Sequence, residues 1–320
     1  FKDLAADTAY QVRVAARNLD LDSLTVWSDW MPVRTRAFVA PSATTATALG
    51  PTSVRVSFAH DGVGVKEFQI QKQNQAGDWV VHATGISPQV RSVDLSNGPT
   101  KLIPGVAYPF RVVAVYASTS VVGVASPAVR LPNATGPQNV QVPDSTIGRQ
   151  KLTATWSAPS PAWDVADYRV ELYRTGNLAT PWKTIVVDKS VTSATFTDLD
   201  INTSYRVRVL ARNLDLDLLS VASVFAAAST KGFVAPASLS FSGVTATALT
   251  VNWLHSDPVG APESYVIFRN GARVGEVSAT TRSFTDRGLK ANTTYSYVVR
   301  AKYALGNADS GAASQRTALK

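Results

Sequence analysis

Pairs of aspartates recur in two short acidic segments of the sequence. Asp20 and Asp22 lie in the run Asn-Leu-Asp-Leu-Asp, and Asp215 and Asp217 lie in an identical run further along the chain. Carboxylates at alternating positions can join a calcium site, but calcium takes roughly six to eight oxygen ligands, and no third or fourth ligand is close in sequence. We interpret the four aspartates as parts of solvated loops or of contacts with an adjoining domain, and we predict no metal site.

Two tryptophans form a second cluster, in the run Trp27-Ser28-Asp29-Trp30. An arginine side chain can stack on an indole ring by a cation–π interaction, and Arg13 and Arg17 are available on a neighbouring predicted strand. We interpret the cluster as a ladder of stacked side chains that stabilises the domain. The alternative is that the tryptophan pair is exposed and stacks on sugar rings.

The sequence contains few other groups that could carry out catalysis. The histidines His60, His82 and His255 fall in or beside predicted strands, without metal-ligand spacing and without a nearby carboxylate cluster. No Gly-rich phosphate loop, Gly-x-Ser-x-Gly segment or His-Glu-x-x-His segment occurs. The chain has no cysteine, which excludes disulfides, thiolate metal sites and cysteine nucleophiles. We therefore predict a protein without catalytic residues or cofactor.

Composition points to an all-β fold. Hydrophobic residues make up 45% of the 320 residues, and 17 prolines and 19 glycines separate short runs rich in Val, Thr, Ala and Ser.

The net charge of +8 comes from 20 arginines and 11 lysines against 23 acidic residues, spread along the chain rather than clustered. We expect no nucleic-acid partner. No apolar run approaches the roughly 18 residues that span a bilayer, so no membrane insertion is expected.

A repeated motif sets the domain organisation. Leucine, five residues and tyrosine occur four times, with the tyrosine at Tyr10, Tyr108, Tyr205 and Tyr295, at spacings of 98, 97 and 90 residues. After each tyrosine, apolar residues alternate with basic or polar ones, which predicts a strand with one buried face. The spacing is typical of sandwich domains of about 100 residues.

These residues resemble the fibronectin type III family, in which a tyrosine at the start of the sixth strand bonds to upstream backbone. An aromatic residue in the second strand supports the resemblance: Trp156, Trp253 and, as a smaller ring, Phe58. The resemblance implies tandem immunoglobulin-like β-sandwiches in an extended array. We expect the C-terminal part of one domain in residues 1–36 and complete domains in 37–131, 132–231 and 232–320.

A longer repeat is superimposed on the first. At an offset of 195, residues 1–41 match residues 196–236 at 23 positions, and both segments end in Phe-Val-Ala-Pro. Short proline-bearing links near residues 36–41, 131–137 and 231–236 predict semi-rigid joints. We expect the joint at Phe38 to pack like the joint at Phe233.

The Trp27–Trp30 run also looks like the tryptophan–serine box of cytokine receptors, but Met31 replaces the final serine and the receptor cysteines are absent.

The absence of cysteine and the Ala/Thr/Val-rich composition favour a bacterial or bacteriophage source. Our first hypothesis is a non-catalytic structural or adhesive segment of a phage tail or tail-tip protein, or of a cell-surface protein, located in a virion or outside the cell. Its partners would be other structural proteins of the assembly and cell-surface polysaccharide. The alternative is a spacer or carbohydrate-binding accessory region of a secreted bacterial polysaccharide hydrolase.

Overall fold

The computed structural model describes residues 1–18, 20, 24–216 and 218–320. Within these ranges the chain is built of β-strands, and the one helical element is a 3-10 turn at Asp144–Thr146. No helix in the described ranges is long and apolar enough to cross a membrane. The predicted all-β fold is confirmed.

The chain forms two compact units. The first comprises Phe1–Gly136, Ala158–Ala166 and Ala211–Val221, and the second comprises Pro137–Ser157, Asp167–Leu210 and Ala222–Lys320.

The first unit begins with a four-strand segment, which we call the first segment. Its strands are β1 (Ala9–Val12), β2 (Ala15–Asn18), β3 (Leu24–Trp27) and β4 (Met31–Arg34). Strand β1 pairs antiparallel with β4, and β2 pairs antiparallel with β3. The two ladders therefore continue one long hairpin, with a break in strand structure at Arg13 and Val14.

The second sandwich follows in the same unit. Its strands are β5 (Ser42–Gly50), β6 (Ser53–Ala59), β7 (Glu67–Gln73), β8 (Trp79–Ile86), β9 (Ser92–Leu95), β10 (Ala107–Tyr108), β11 (Phe110–Val115), β12 (Ser120–Val122) and β13 (Val129–Arg130). One sheet has the order β5-β6-β9, the other has the order β12-β11-β7-β8, and β10 pairs with β13. The two sheets enclose a core that includes Phe58, Phe68, Ile70 and Phe110.

The third sandwich contributes most of its strands to the second unit. Its strands are β14 (Gln138–Gln141), β15 (Leu152–Ser157), β16 (Asp167–Arg174), β17 (Lys183–Asp188), β18 (Ser193–Phe196), β19 (Ser204–Asn213), β20 (Leu219–Ala222) and β21 (Ala226–Ser229). The sheets are β14-β15-β18 and β17-β16-β19-β20, with β21 also on β19. Trp156 and Tyr168 are buried edge to face, with ring centroids 5.6 Å apart.

The fourth sandwich completes the second unit. Its strands are β22 (Ala237–Ser242), β23 (Ala248–Leu254), β24 (Ser264–Arg269), β25 (Ala272–Ser278), β26 (Ser283–Arg287), β27 (Thr294–Tyr303), β28 (Gly306–Asp309) and β29 (Ala313–Arg316). Its sheets repeat the same plan, β22-β23-β26 and β25-β24-β27-β28, with β29 also on β27. Trp253, Tyr265 and Ile267 lie in the core.

Each of the four tyrosines of the motif forms the corner that the sequence predicts. The hydroxyl of Tyr10, Tyr108, Tyr205 and Tyr295 accepts a hydrogen bond from the backbone N–H five residues upstream, at 2.9, 3.1, 3.0 and 3.0 Å. Tyr108 and Tyr205 are buried, whereas Tyr295 is half-buried.

The first segment differs from the sandwiches in burial. Val14 is 71% exposed, whereas Val209, its counterpart at the offset of 195, is fully buried. The third sandwich has the five strands β14–β18 before its tyrosine strand, and the described part of residues 1–36 has none before Tyr10's strand β1. The buried face that alternation predicts for residues 10–16 is therefore open in this segment.

Candidate functional site

The described residues of the acidic loops make local hydrogen bonds. The backbone N–H of Asp20 bonds to the Asn18 side-chain oxygen at 2.9 Å, and that of Asp215 bonds to the Asn213 oxygen at 3.1 Å. Among the described residues no group of three or more His, Cys, Asp or Glu side chains is placed to hold a metal ion. The other two predicted aspartates, Asp22 and Asp217, lie outside the described residues.

The tryptophan cluster forms a stack around one arginine. The guanidinium carbon of Arg13 lies 3.9 Å from the ring centre of Trp27 and 4.4 Å from that of Trp30. The two rings are 52% and 53% exposed. The ladder that the sequence predicts thus forms on Arg13, and its guanidinium already covers part of each ring.

The same kind of stack recurs in every sandwich, with partners that sequence reasoning missed. In the second sandwich Arg111 lies 4.3 Å from the Trp79 ring, and in the fourth Arg300 lies 4.8 Å from the Phe268 ring. In the third, Arg208 lies over both Tyr173 and Phe225, at 5.1 and 5.3 Å. Each of these arginines lies on the outward face of the tyrosine strand, opposite the alternating core residues. An aromatic residue on the outward face of a neighbouring strand is the signal that could have identified two of the four partners, Tyr173 on β16 and Phe268 on β24.

The stack of the third sandwich also contains a buried carboxylate. Glu171 accepts hydrogen bonds from Arg208 at 2.8 Å and from the Tyr173 hydroxyl at 2.6 Å, and Arg169 lies 2.9 Å from its other oxygen. Burial alone would raise the pKa of the Glu171 carboxyl, but these hydrogen bonds and the two guanidinium charges lower it. A carboxylate held by two arginines and a phenol in this way forms a structural ion-pair network.

The Phe-Val-Ala-Pro linker before the second sandwich docks onto that sandwich. Phe38 packs on Tyr116 with ring centroids 4.7 Å apart, and the Tyr116 hydroxyl donates to the Val39 carbonyl at 2.9 Å. The Nε2 atom of His60 lies 3.1 Å from the same carbonyl. His60 therefore anchors the linker to the sandwich.

The linker before the fourth sandwich docks in the same way. Phe233 stacks on Tyr303 with centroids 4.8 Å apart, and the Tyr303 hydroxyl oxygen lies 2.9 Å from the Val234 carbonyl oxygen. His255, the counterpart of His60, lies 3.0 Å from that carbonyl. The sequence identity of the two linkers thus corresponds to one shared set of local contacts.

An ion pair joins the third and fourth sandwiches within the second unit. Arg149, from the loop between β14 and β15, donates to the Asp257 carboxylate and, at 3.2 Å, to the Gly260 carbonyl. The Asp257 side chain is fully buried. The Arg149 guanidinium also lies 4.6 Å from the ring centre of Tyr303, whose hydroxyl donates to Asp257 at 2.7 Å.

The electrostatics of this joint favour the ionised carboxylate. Burial would raise the pKa of Asp257, but hydrogen bonds from Tyr303 and the Val259 N–H, together with the charge of Arg149, lower it. Burial and the hydrogen bond to Asp257 raise the pKa of Tyr303, which keeps its phenol protonated as a donor. We call these three side chains, Arg149, Asp257 and Tyr303, the latch.

A different set of contacts joins the second and third sandwiches within the first unit. The buried Trp163 of the third sandwich donates its indole N–H to the carbonyl of Thr135, in the linker between the two sandwiches, at 2.8 Å. The backbone N–H of Asp164 bonds to the Thr52 hydroxyl at 3.0 Å, and Asn97 donates to the Asp164 carboxylate at 3.0 Å. These hydrogen bonds involve neutral donors, and no ion pair is among them.

The sequence model of the fibronectin type III domain family matches this chain in two tandem regions, residues 135–216 and 234–317. Together the two regions cover half of the chain. The chain belongs to the fibronectin type III family. The tandem sandwiches, the corner tyrosines and the buried second-strand tryptophans are its features in this chain.

Relatives of these fibronectin type III domains occur in polymer-degrading enzymes. The chain is 30% identical to chitinase A1 of Niallia circulans over 184 residues, which are 54% of this chain and 25% of that protein. It is 34% identical to exoglucanase B of Cellulomonas fimi over 141 residues, 40% of this chain and 13% of that protein. It is 43% identical to a poly(3-hydroxybutyrate) depolymerase of Delftia acidovorans over 82 residues, 25% of this chain and 16% of that protein.

The chain therefore spans a quarter or less of the length of each of these relatives. Their names favour the enzyme-accessory alternative over the phage-tail hypothesis.

Proposed function

We propose that this chain is a non-catalytic spacer in a larger extracellular bacterial enzyme that degrades a polymer. The observation that carries the proposal is the restriction of each match to a quarter or less of a chitinase, an exoglucanase or a polyester depolymerase. Residues 135–216 and 234–317 of this chain match the fibronectin type III family, and the catalytic function of a protein resides in its sites rather than in such a fold.

The joints support a spacing role. Sandwiches connected only by flexible linkers would set a broad range of separations between the parts at either end. Here the linker carbonyls of Val39 and Val234 are each bonded to a tyrosine and a histidine of the following sandwich. The latch adds a buried ion pair between the third and fourth sandwiches. A spacer with ordered joints holds its end groups at a defined separation.

The tryptophan cluster provides the second candidate, direct binding of polysaccharide. Trp27 and Trp30 are half-exposed, as a sugar-stacking surface requires, but Arg13 occupies the space between them. A sugar ring would have to compete with that guanidinium for the ring faces. We therefore favour the spacer over the binding module.

The two candidates are separated by adsorption and turnover assays on the whole chain with chitin, cellulose and poly(3-hydroxybutyrate) particles. The spacer predicts no turnover and the same weak adsorption for the wild type and the double variant Trp27→Ala/Trp30→Ala. Strong adsorption that this double variant loses would instead establish the binding module. Turnover abolished by one substitution in the chain would refute a non-catalytic role.

Sequencing the gene on both sides of the encoded chain tests the wider setting. We expect a hydrolase domain in the same reading frame. A virion structural domain there would overturn the enzyme context and restore the phage-tail hypothesis.

A further inference from the structure

The interior of the second sandwich contains a lysine without a carboxylate partner. Lys72, on β7, is only 4% exposed. Its ammonium donates to the Lys101 carbonyl at 2.7 Å and lies 4.3 Å from the ring centre of Tyr108. A lysine ammonium has three donors, and among the described residues no carboxylate pairs with this one. Burying a cation without an anion is costly, and burial lowers the pKa of Lys72.

The fourth sandwich shows the completed form of the same arrangement. Arg269 takes the place of Lys72, four residues after the aromatic residue that begins the buried face of the strand. It donates to both oxygens of Asp286 at 3.0 and 2.9 Å, and the buried Tyr297 hydroxyl donates to the same carboxylate at 2.7 Å. The inner cation is therefore neutralised there by a carboxylate of the chain itself.

The second sandwich lacks that carboxylate because of one residue. Asp286 pairs with Leu249 across the ladder of β23 and β26, and Leu95 pairs with Val54 across the ladder of β6 and β9. Leu249 and Val54 are counterparts at the offset of 195, so Leu95 occupies the position of Asp286. The third sandwich has no cation at this position, since the buried Leu172 stands where the second sandwich has Lys72.

A pocket of about 410 Å³ lies over the unpaired ammonium. It is lined by Lys72, Lys101 and Tyr108 and by the turn residues Asn74, Gln75 and Ala76. Lys101 is exposed at the rim and, in the part of the chain that the structure describes, forms no ion pair. Nearby, His82 is buried, and its pKa is lowered by burial and by the charge of Lys72. The pocket therefore combines two lysines with neutral hydrogen-bonding groups.

We propose that this pocket binds a small carboxylate, such as a sugar acid or a short hydroxy acid, whose carboxylate replaces the one that Asp286 supplies in the fourth sandwich. The carboxylate accepts from the free donors of Lys72 and from Lys101. The turn residues Asn74 and Gln75 line the pocket beside the two lysines, where hydroxyl groups of the ligand would lie. The pocket volume is large enough for a molecule of monosaccharide size.

Titration of the whole chain with D-glucuronate, 3-hydroxybutyrate and neutral D-glucose, followed by calorimetry and by backbone amide shifts, tests the proposal. We expect saturable binding of at least one of the two acids, with shifts at Asn74, Gln75 and Lys101, and no binding of glucose. Preference between the two acids distinguishes a sugar-acid ligand from a hydroxy-acid ligand. The Lys72→Met variant should bind at least about tenfold more weakly, because it removes one partner of a buried charge pair.

The variant is expected to remain folded, since a buried aliphatic residue already occupies this position in the third sandwich. Its thermal stability without ligand should equal or exceed that of the wild type, because an unpaired buried charge is removed. The acid that binds should raise the melting temperature of the wild type and not that of Lys72→Met. The matched control Lys302→Met removes an exposed strand lysine and should bind normally. Absence of saturable binding for both acids, or binding that Lys72→Met leaves unchanged, would overturn the proposal.

Discussion

The two copies of the 195-residue repeat have the same local contacts but different surroundings. The N–H groups of Thr8 and Thr203 each bond to a threonine hydroxyl at 2.9 Å, and those of Val14 and Val209 each bond to a serine hydroxyl at 3.0 Å. Yet Val14 is exposed and Val209 is fully buried. Similar sequence thus reproduces short-range hydrogen bonds, whereas burial depends on strands outside the repeated segment.

The two linkers show the same division. Phe38 and Phe233 each pack on a tyrosine of the following sandwich, but of the two, within the described part of the chain, Phe233 alone also lies near a guanidinium, that of Arg149 at 5.2 Å. At the offset of 195, Asp257 corresponds to Gly62, and the preceding residue, Ser256, corresponds to Asp61. The latch therefore requires residues that the repeat does not conserve between its copies. The prediction that both joints pack alike holds for the docking of each linker on its own sandwich and remains a prediction for the orientation of neighbouring domains.

Removal of the latch carboxylate should have the largest effect. In Asp257→Asn the partly buried Arg149 loses its fully buried counter-charge, and loss of one partner from a buried ion pair costs about 3 kcal/mol. We expect the transition of the fourth sandwich in chemical denaturation to shift by that amount. The control Asp61→Asn changes a half-exposed carboxylate beside the other linker and should shift its sandwich by less than about 0.5 kcal/mol. Equal effects at the two sites would show that the latch contributes nothing specific.

Removal of a corner hydroxyl should have a smaller effect. Tyr205→Phe deletes the acceptor of the Asp200 N–H in a complete sandwich and should lower its unfolding free energy by about 1 kcal/mol. Tyr10→Phe deletes the matching bond in the open first segment, where water can replace it, and should have little effect on any cooperative transition. A larger loss for Tyr10→Phe than for Tyr205→Phe would contradict the contrast between the two copies.

The fold was predictable from the sequence because its determinants are local. Period-two alternation after each tyrosine predicts the buried face, and Trp156, Trp253 and Phe58 lie in the cores as expected. The stack of Arg13 with Trp27 and Trp30 was predictable because hairpin partners are close in sequence.

The latch and the Lys72 pocket were not predictable in the same way. Arg149 and Asp257 are 108 residues apart, and neither belongs to a motif. Lys72 becomes notable only when its strand is aligned with that of Arg269 and the facing positions Leu95 and Asp286 are compared. Such contacts depend on tertiary placement, and a single sequence contains no direct signal for them.

The distance between the third and fourth sandwiches tests the spacer proposal most directly. Because the chain has no cysteine, Lys189→Cys and Ala312→Cys place two unique spin labels on exposed sites of these sandwiches. Pulsed electron–electron double resonance should give a narrow distance distribution between the two labels, and this distribution should broaden when Arg149→Met is added. The control Arg174→Met removes an exposed arginine stacked on Trp182 and should leave the distribution unchanged. A broad distribution in the labelled wild type, or one that Arg149→Met leaves unaltered, would contradict a spacer with an ordered joint.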